Sequence, residues 1–137
     1  MAYMSQTRKA ELAPTIKAVC AKYGVKASIA VRHHSTLVIN IRQGQLDILG
    51  NFNDVCSKLP RPEHNPFQPA TKNLDVNQYW YQEHFDGRVK DFFTELFAAA
   101  KGNQWYDRSD AMTDYFDTAY YIDVNVGAWD KPYALAA

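Results

Sequence analysis

Hydrophobic and polar residues change their period several times along the chain, and each change marks an element. Leu12, Ile16, Val19, Cys20 and Tyr23 recur at helical spacing, which predicts a helix from about Ser5 to Tyr23 with one apolar face. Ser5 suits the N-cap, and Gly24 stands where a left-handed residue closes a helix. Pro14 removes a backbone donor and crowds the preceding turn, so the pattern predicts a kink or a late start. From Val25 the period falls to two. Val25, Ala27, Ile29 and Val31 alternate with Lys26, Ser28, Ala30 and Arg32. Leu37, Ile39 and Ile41 alternate with Thr36, Val38, Asn40 and Arg42, and Leu46 and Ile48 flank Asp47. With turns at Arg32-His33-His34-Ser35 and Gln43-Gly44, these three stretches predict an antiparallel meander with one apolar face.

Four of the six prolines, Pro60, Pro62, Pro66 and Pro69, fall close together, so residues 59–72 read as an extended connector. A helix follows, from Val76 or Tyr81 to Lys101. Phe85, Val89, Phe92, Phe93, Leu96, Phe97 and Ala100 form its apolar side, and Gly102-Asn103 ends it. A short helical turn capped by Ser109 or Asp110 fits the next stretch. Tyr120, Ile122, Val124 and Val126 then alternate as a final strand ending at Gly127. The predicted fold class is α+β: one domain over residues 1–137, with a four-stranded antiparallel sheet, helices on one face and the order α-β-β-β-α-β.

Composition narrows the function classes. The 137 residues are 47% hydrophobic and 22% charged, which is globular and not disordered, and a net charge of +0 excludes a generally basic nucleic-acid coat. The charge is nevertheless segregated. Residues 1–72 carry ten Lys/Arg and four Asp/Glu, a balance of +6, whereas residues 73–137 carry five and eleven, a balance of −6. The halves either form a basic and an acidic side or neutralise each other on folding. The chain starts Met1-Ala2-Tyr3-Met4-Ser5 without a secretory pattern, and its longest apolar run is Leu96 to Ala100. Cys20 and Cys56 are the two cysteines and form no CxxC pair. The expectation is a soluble cytoplasmic protein with reduced thiols and no membrane partner.

The candidate chemistry lies mostly in the last third. Asp110, Asp114 and Asp117 share one face if helical, with Asp107 before them and Asp123 after. Clustered carboxylates suit a hard cation or acid–base work. The spacing matches no EF-hand and no His or Glu partner stands at motif distance, so the cluster reads first as a solvated acidic face plus one helix cap, and neither a metal nor another cofactor is assigned. His33 and His34 read as surface turn residues, and no nucleophile motif or phosphate loop accompanies them. Aromatic residues reach 14%, and between 105 and 130 they are interleaved with Asp. That composition repels phosphate but suits an interface with a basic protein, because Tyr and Trp anchor contacts while an acidic rim steers the partner. The candidate partner-binding residues are Trp105, Tyr106, Asp107, Asp110, Asp114, Tyr115, Asp117, Trp129 and Asp130. The alternative is a nucleic-acid-binding module that uses the basic half, with Lys26, Arg32 and Arg42 as its strand residues and Arg8, Lys9, Lys17 and Lys22 on the helix. The order α-β-β-β-α is also that of double-stranded RNA-binding domains, but positions 77–86 lack the Lys or Arg those domains need there.

Two blocks, Val31-Arg-His-His-Ser-Thr-Leu-Val-Ile-Asn-Ile-Arg-Gln-Gly44 and Ser109-Asp-Ala-Met-Thr-Asp-Tyr-Phe-Asp117, are closed by Gly127-Ala-Trp-Asp-Lys-Pro-Tyr133. Together they resemble a large polyvalent protein-associated domain of phages and conjugative elements, the twenty-ninth of that numbered series, from Ala10 to Tyr133. Such domains accompany enzymes that travel with incoming DNA. For a chain with no fused enzyme, the resemblance implies a non-catalytic protein that inhibits a host defence protein or ribonucleoprotein complex, of the anti-CRISPR or antirestriction type. It carries over no catalytic residue.

Overall fold

The computed structural model describes residues 3–58, 63, 69–70, 72–79, 81–102, 105, 119–128 and 131–135. Helix α1 (Gln6–Lys22) opens with the Ser5 side chain accepting from the Arg8 N–H at 3.0 Å. It runs unbroken through Pro14. Pro14 and Ala10 are both exposed, so the carbonyl deprived of its donor faces water, which satisfies it. Gly24, at φ 68°, turns the chain into strand β1 (Val25–Arg32), which pairs antiparallel with β2 (Thr36–Gly44). Between them His33 and His34 both adopt φ 55°, the left-handed geometry of a tight hairpin turn, and the Ser35 N–H donates to the Arg32 carbonyl at 3.2 Å. The exposed turn expected for these histidines is present.

The third meander strand is not. Leu46-Asp47-Ile48 enters a helix, α2 (Ile48–Cys56), because Asp47 caps it by accepting from the Gly50 N–H at 3.0 Å. Alternation over only three residues fits a helix entry as well as a strand, and the cap decides between them. Two asparagines on α2 then clamp neighbouring chain. The Asn51 amide exchanges two hydrogen bonds with Asp86, 2.6 and 3.0 Å, and the Asn53 amide exchanges two with the backbone of Ala70, both 2.8 Å. Of the Pro-rich connector, residues 59–62, 64–68 and 71 lie outside the described residues.

Val76 belongs to a short strand, β3 (Leu74–Val76), and the helix expected to begin there is divided into α3 (Tyr81–His84) and α4 (Gly87–Lys101). Phe85 and Asp86, the latter extended at φ −138°, separate the two, and α4 begins at Gly87 with φ 55°. The apolar side of α4 is buried as its spacing predicts: Val89, Phe92, Phe93, Leu96, Phe97 and Ala100. Strand β4 (Tyr121–Val126) returns beside β2 in parallel, β3 pairs antiparallel with β4, and β5 (Ala134–Leu135) continues β2's parallel edge at Gln43 and Gly44.

The fold is therefore α+β, with a five-stranded mixed sheet ordered β1-β2-β4-β3 and β5 paired to β2. The expected four-stranded antiparallel sheet is corrected on both counts. Leu37, Ile39, Ile41, Val124 and Val126 share one core with Leu12, Ile16 and Cys20 of α1 and the aromatic side of α4. Both cysteines are buried.

The buried acids predict the alkaline behaviour. Burial pushes the Cys20 thiol up to about 11 and the Tyr120 and Tyr133 phenols up to about 12. The folded chain retains protons that the unfolded chain releases from about pH 9 upward, so stability falls as pH rises through 9 to 12. Denaturant titrations across that range should show the decline, and Tyr133→Phe should make it shallower. The hairpin predicts a gain instead. Replacing His33-His34 by Asn-Gly relieves two left-handed side-chain-bearing residues and should raise stability by about 1 kcal/mol in urea denaturation.

Candidate functional site

Two surfaces were expected, and the structure treats them differently. Of the acidic aromatic set, Trp105 is the residue it describes; Tyr106, Asp107, Asp110, Asp114, Tyr115, Asp117, Trp129 and Asp130 lie outside the described residues, as does the helical turn expected near Ser109. Trp105 is half-buried, and its indole Nε1–H donates to the Tyr120 carbonyl at 2.8 Å. The Lys101 ammonium sits 4.7 Å from the indole centroid, a cation–π distance. Tyr120 in turn donates its hydroxyl proton to the Ala100 carbonyl at 2.5 Å, with the Lys101 carbonyl at 2.9 Å, so it caps the last turn of α4. The Ala119 carbonyl accepts from the Tyr3 N–H at 2.9 Å. Residues 106–118, with four Asp and one Arg, are thus bracketed by two points that the fold clasps together. Trp105 closes that bracket, a positioning role that spacing alone does not reveal.

The basic set is described in full. Lys26 and Arg32 on β1 and Arg42 on β2 are exposed. The core side of these strands is taken by Val25, Leu37, Ile39 and Ile41, so strand alternation brings all three cations to the opposite side. Arg32 is not free there: its guanidinium meets Asp123 of β4 at 2.7 Å. Ser28, Asn40, Asn125 and Asp75 stand in register across β1, β2, β4 and β3 on the same side. With its amide oriented to suit both neighbours, Asn125 donates to Asp75 Oδ1 at 2.6 Å and to Asp123 Oδ1 at 3.3 Å. Both carboxylates of this side are therefore engaged.

The helix cations divide similarly. Arg8 pairs with Glu11 at 2.9 Å, and Lys22 pairs with Glu95 at 2.7 Å. The Tyr23 hydroxyl also donates to Glu95, and Arg88 lies 4.6 Å above the Tyr23 ring. The bonds from Lys22 and Tyr23 hold the Glu95 carboxyl below its ordinary value. Lys22–Glu95 and Arg32–Asp123 join the basic half of the chain to the acidic half, whereas Lys9, Lys17, Lys26 and Arg42 have no ion pair among the described residues.

Two concavities accompany these surfaces. A groove of about 400 Å³ runs between α1 and β1, lined by Ile16, Cys20, Val25, Ala27 and Ile29 with Lys17 and Lys26 at its margin. A crevice of about 330 Å³ lies beside β2 where β4 ends, lined by Asn40, Ile41, Arg42, Gly127, Ala128, Lys131 and Pro132. No group of three or more His, Cys, Asp or Glu side chains that could hold a metal occurs among the described residues, and no helix there is long and apolar enough to cross a membrane. In comparisons with known proteins, no family model, no curated protein and no solved structure matches the chain.

The clasp is open to a direct test. Trp105→Phe keeps the ring and deletes the bond to Tyr120, and should cost about 1 kcal/mol of stability. Faster amide exchange at Ala119 to Tyr121 in the variant would locate the loss there; unchanged exchange would show that the bond does not hold the bracket.

Proposed function

We propose that this chain is a non-catalytic binding protein that presents the acidic, aromatic segment 106–118 to a basic partner. The observation that carries this reading is the clasp: Trp105 and Tyr120, which flank the thirteen residues 106–118 in the sequence, are tied at 2.8 Å. Long connections held at their ends are characteristically functional. Four aspartates confined to such a span resemble a row of phosphates in charge and suit a basic groove that ordinarily takes nucleic acid. Tyr106 and Tyr115 supply the amphipathic rings that anchor contacts between proteins. The resemblance to a polyvalent domain of mobile elements directs the choice of partner toward a host defence complex, and it rests on the quoted blocks alone.

A second reading is supported by a different observation. Lys26, Arg32 and Arg42 share one side of the sheet, as a phosphate-tracking surface requires, although Asp123 already neutralises Arg32.

One experiment separates the two. The tagged chain is used to capture partners from bacterial lysate, with and without nuclease, and captured proteins are identified by mass spectrometry. The acidic-segment reading expects a stoichiometric protein that survives nuclease. It also expects Asp110→Asn with Asp114→Asn to weaken its binding about tenfold and to flatten its salt dependence. Capture that disappears with nuclease, or affinity and salt response that the double variant leaves unchanged, overturns it in favour of the basic side.

A further inference from the structure

Arg42 occupies an irregular position in the sheet. On the β1 side, Lys26 pairs with Gln43 and Ala27 with Ile41, so Arg42 is the extra residue of a bulge. On the other side, β4 pairs with β2 as far as Ile41, and β5 resumes only at Gln43. Arg42 thus has no register partner on either edge, and β4 ends at Val126 beside it, followed by Gly127 and Ala128.

That end is held firmly. The Gly127 N–H donates to the Ile41 carbonyl at 2.8 Å, and Ala128 and Lys131 exchange backbone hydrogen bonds of 2.9 and 3.2 Å. The Tyr133 N–H donates to the Lys72 carbonyl at 2.9 Å, and its hydroxyl donates to the Leu46 carbonyl at 2.7 Å. Gly127 has φ 70°, and a Cβ there would stand 2.5 Å from the Lys72 oxygen and 2.6 Å from the Tyr133 nitrogen, so the close approach needs glycine. The result is the crevice of about 330 Å³ beside Asn40–Arg42 of β2, at the carboxyl end of β4.

Two exposed cations, Arg42 and Lys131, line this crevice, and neither has an ion pair among the described residues. Among the described residues, the carboxylates on the same sheet side are occupied, Asp123 by Arg32 and both Asp75 and Asp123 by Asn125. Asn40 adds an amide, and Ala128 and Pro132 add apolar wall. A guanidinium fork and a separate ammonium around a small, partly apolar hollow match a dianion on a compact organic body. We propose that the crevice between Arg42 and Lys131 binds the phosphate group of a small phosphomonoester. The site stands independently of either macromolecular reading.

The test titrates the intact chain with inorganic phosphate, with a 5′-mononucleotide and with the corresponding unphosphorylated nucleoside, followed by calorimetry and amide shifts. Phosphate and nucleotide should bind and the nucleoside should not, with the largest shifts at Arg42, Gly127 and Ala128. Tighter binding of the nucleotide identifies an organic monoester as the ligand, and equal binding identifies free phosphate. Arg42→Gln and Lys131→Gln change exposed side chains, so both variants should fold, and each should weaken binding about tenfold or more. Lys90→Gln, on α4, removes the same charge elsewhere and should leave binding unchanged. Absence of binding up to about 10 mM overturns the proposal. So does equal binding by the two crevice variants and the unaltered chain, or an equal loss in Lys90→Gln, which would mark a general charge effect.

Discussion

The burial of Leu37, Ile39 and Ile41 on one side of β2 is the constraint on which the rest of the fold depends. Each is fully buried, and removing such side chains from water contributes roughly 2 kcal/mol apiece. The strand that carries them has neighbours along both edges, β1 on one and β4 then β5 on the other, so its register sets theirs. A shift by one residue would turn Asn40 and Arg42 into the core. Helices α1 and α4 cover the same side. Ring contacts at Tyr23–Phe92, 5.4 Å, join the end of α1 to α4, and those at Phe85–Phe93, 4.7 Å, and Tyr81–Phe97, 5.0 Å, pack α3 and Phe85 against α4.

Around that core the segregated charge of the chain is only partly cancelled. Lys22–Glu95 and Arg32–Asp123 bridge the two halves, and both are at least partly solvated, so each contributes modestly to stability. Their larger consequence is selective. They neutralise two surface cations and leave Lys26, Arg42 and Lys131 as positive charge without an ion pair among the described residues. The acidic segment, for its part, is bracketed by Trp105 and Tyr120.

Helix α2 shows how a small element can organise long connections. Through Asn51 it holds the start of α4, and through Asn53 it holds the chain at Ala70. Carboxamides suit this task because each offers a donor and an acceptor at fixed spacing and can replace a short stretch of ladder. The turn at Asp86-Gly87 is stabilised in this way rather than by a capping bond from the Asp86 side chain to its own helix.

Local chemistry determined a good deal of this protein. The N-cap at Ser5, the left-handed Gly24, the apolar side of α1, the hairpin through His33-His34 and the aromatic side of α4 all follow from residues within a turn or two of one another, and all are present. The same alternation that put Lys26, Arg32 and Arg42 on polar positions placed them on one side of the sheet. What the sequence left open depended on distant partners. Two alternating residues around Asp47 could not distinguish a strand from a helix entry; the Gly50 N–H donating to Asp47, and the clamps from α2 to Asp86 and Ala70, decide for the helix. The direction of β4 was equally hidden, since alternation is the same for parallel and antiparallel pairing. The Trp105–Tyr120 clasp and the gap at Arg42 arise between residues far apart in the chain. Only the assembled sheet, with β2 changing partners from β4 to β5, decided that Arg42 and Lys131 would line one crevice.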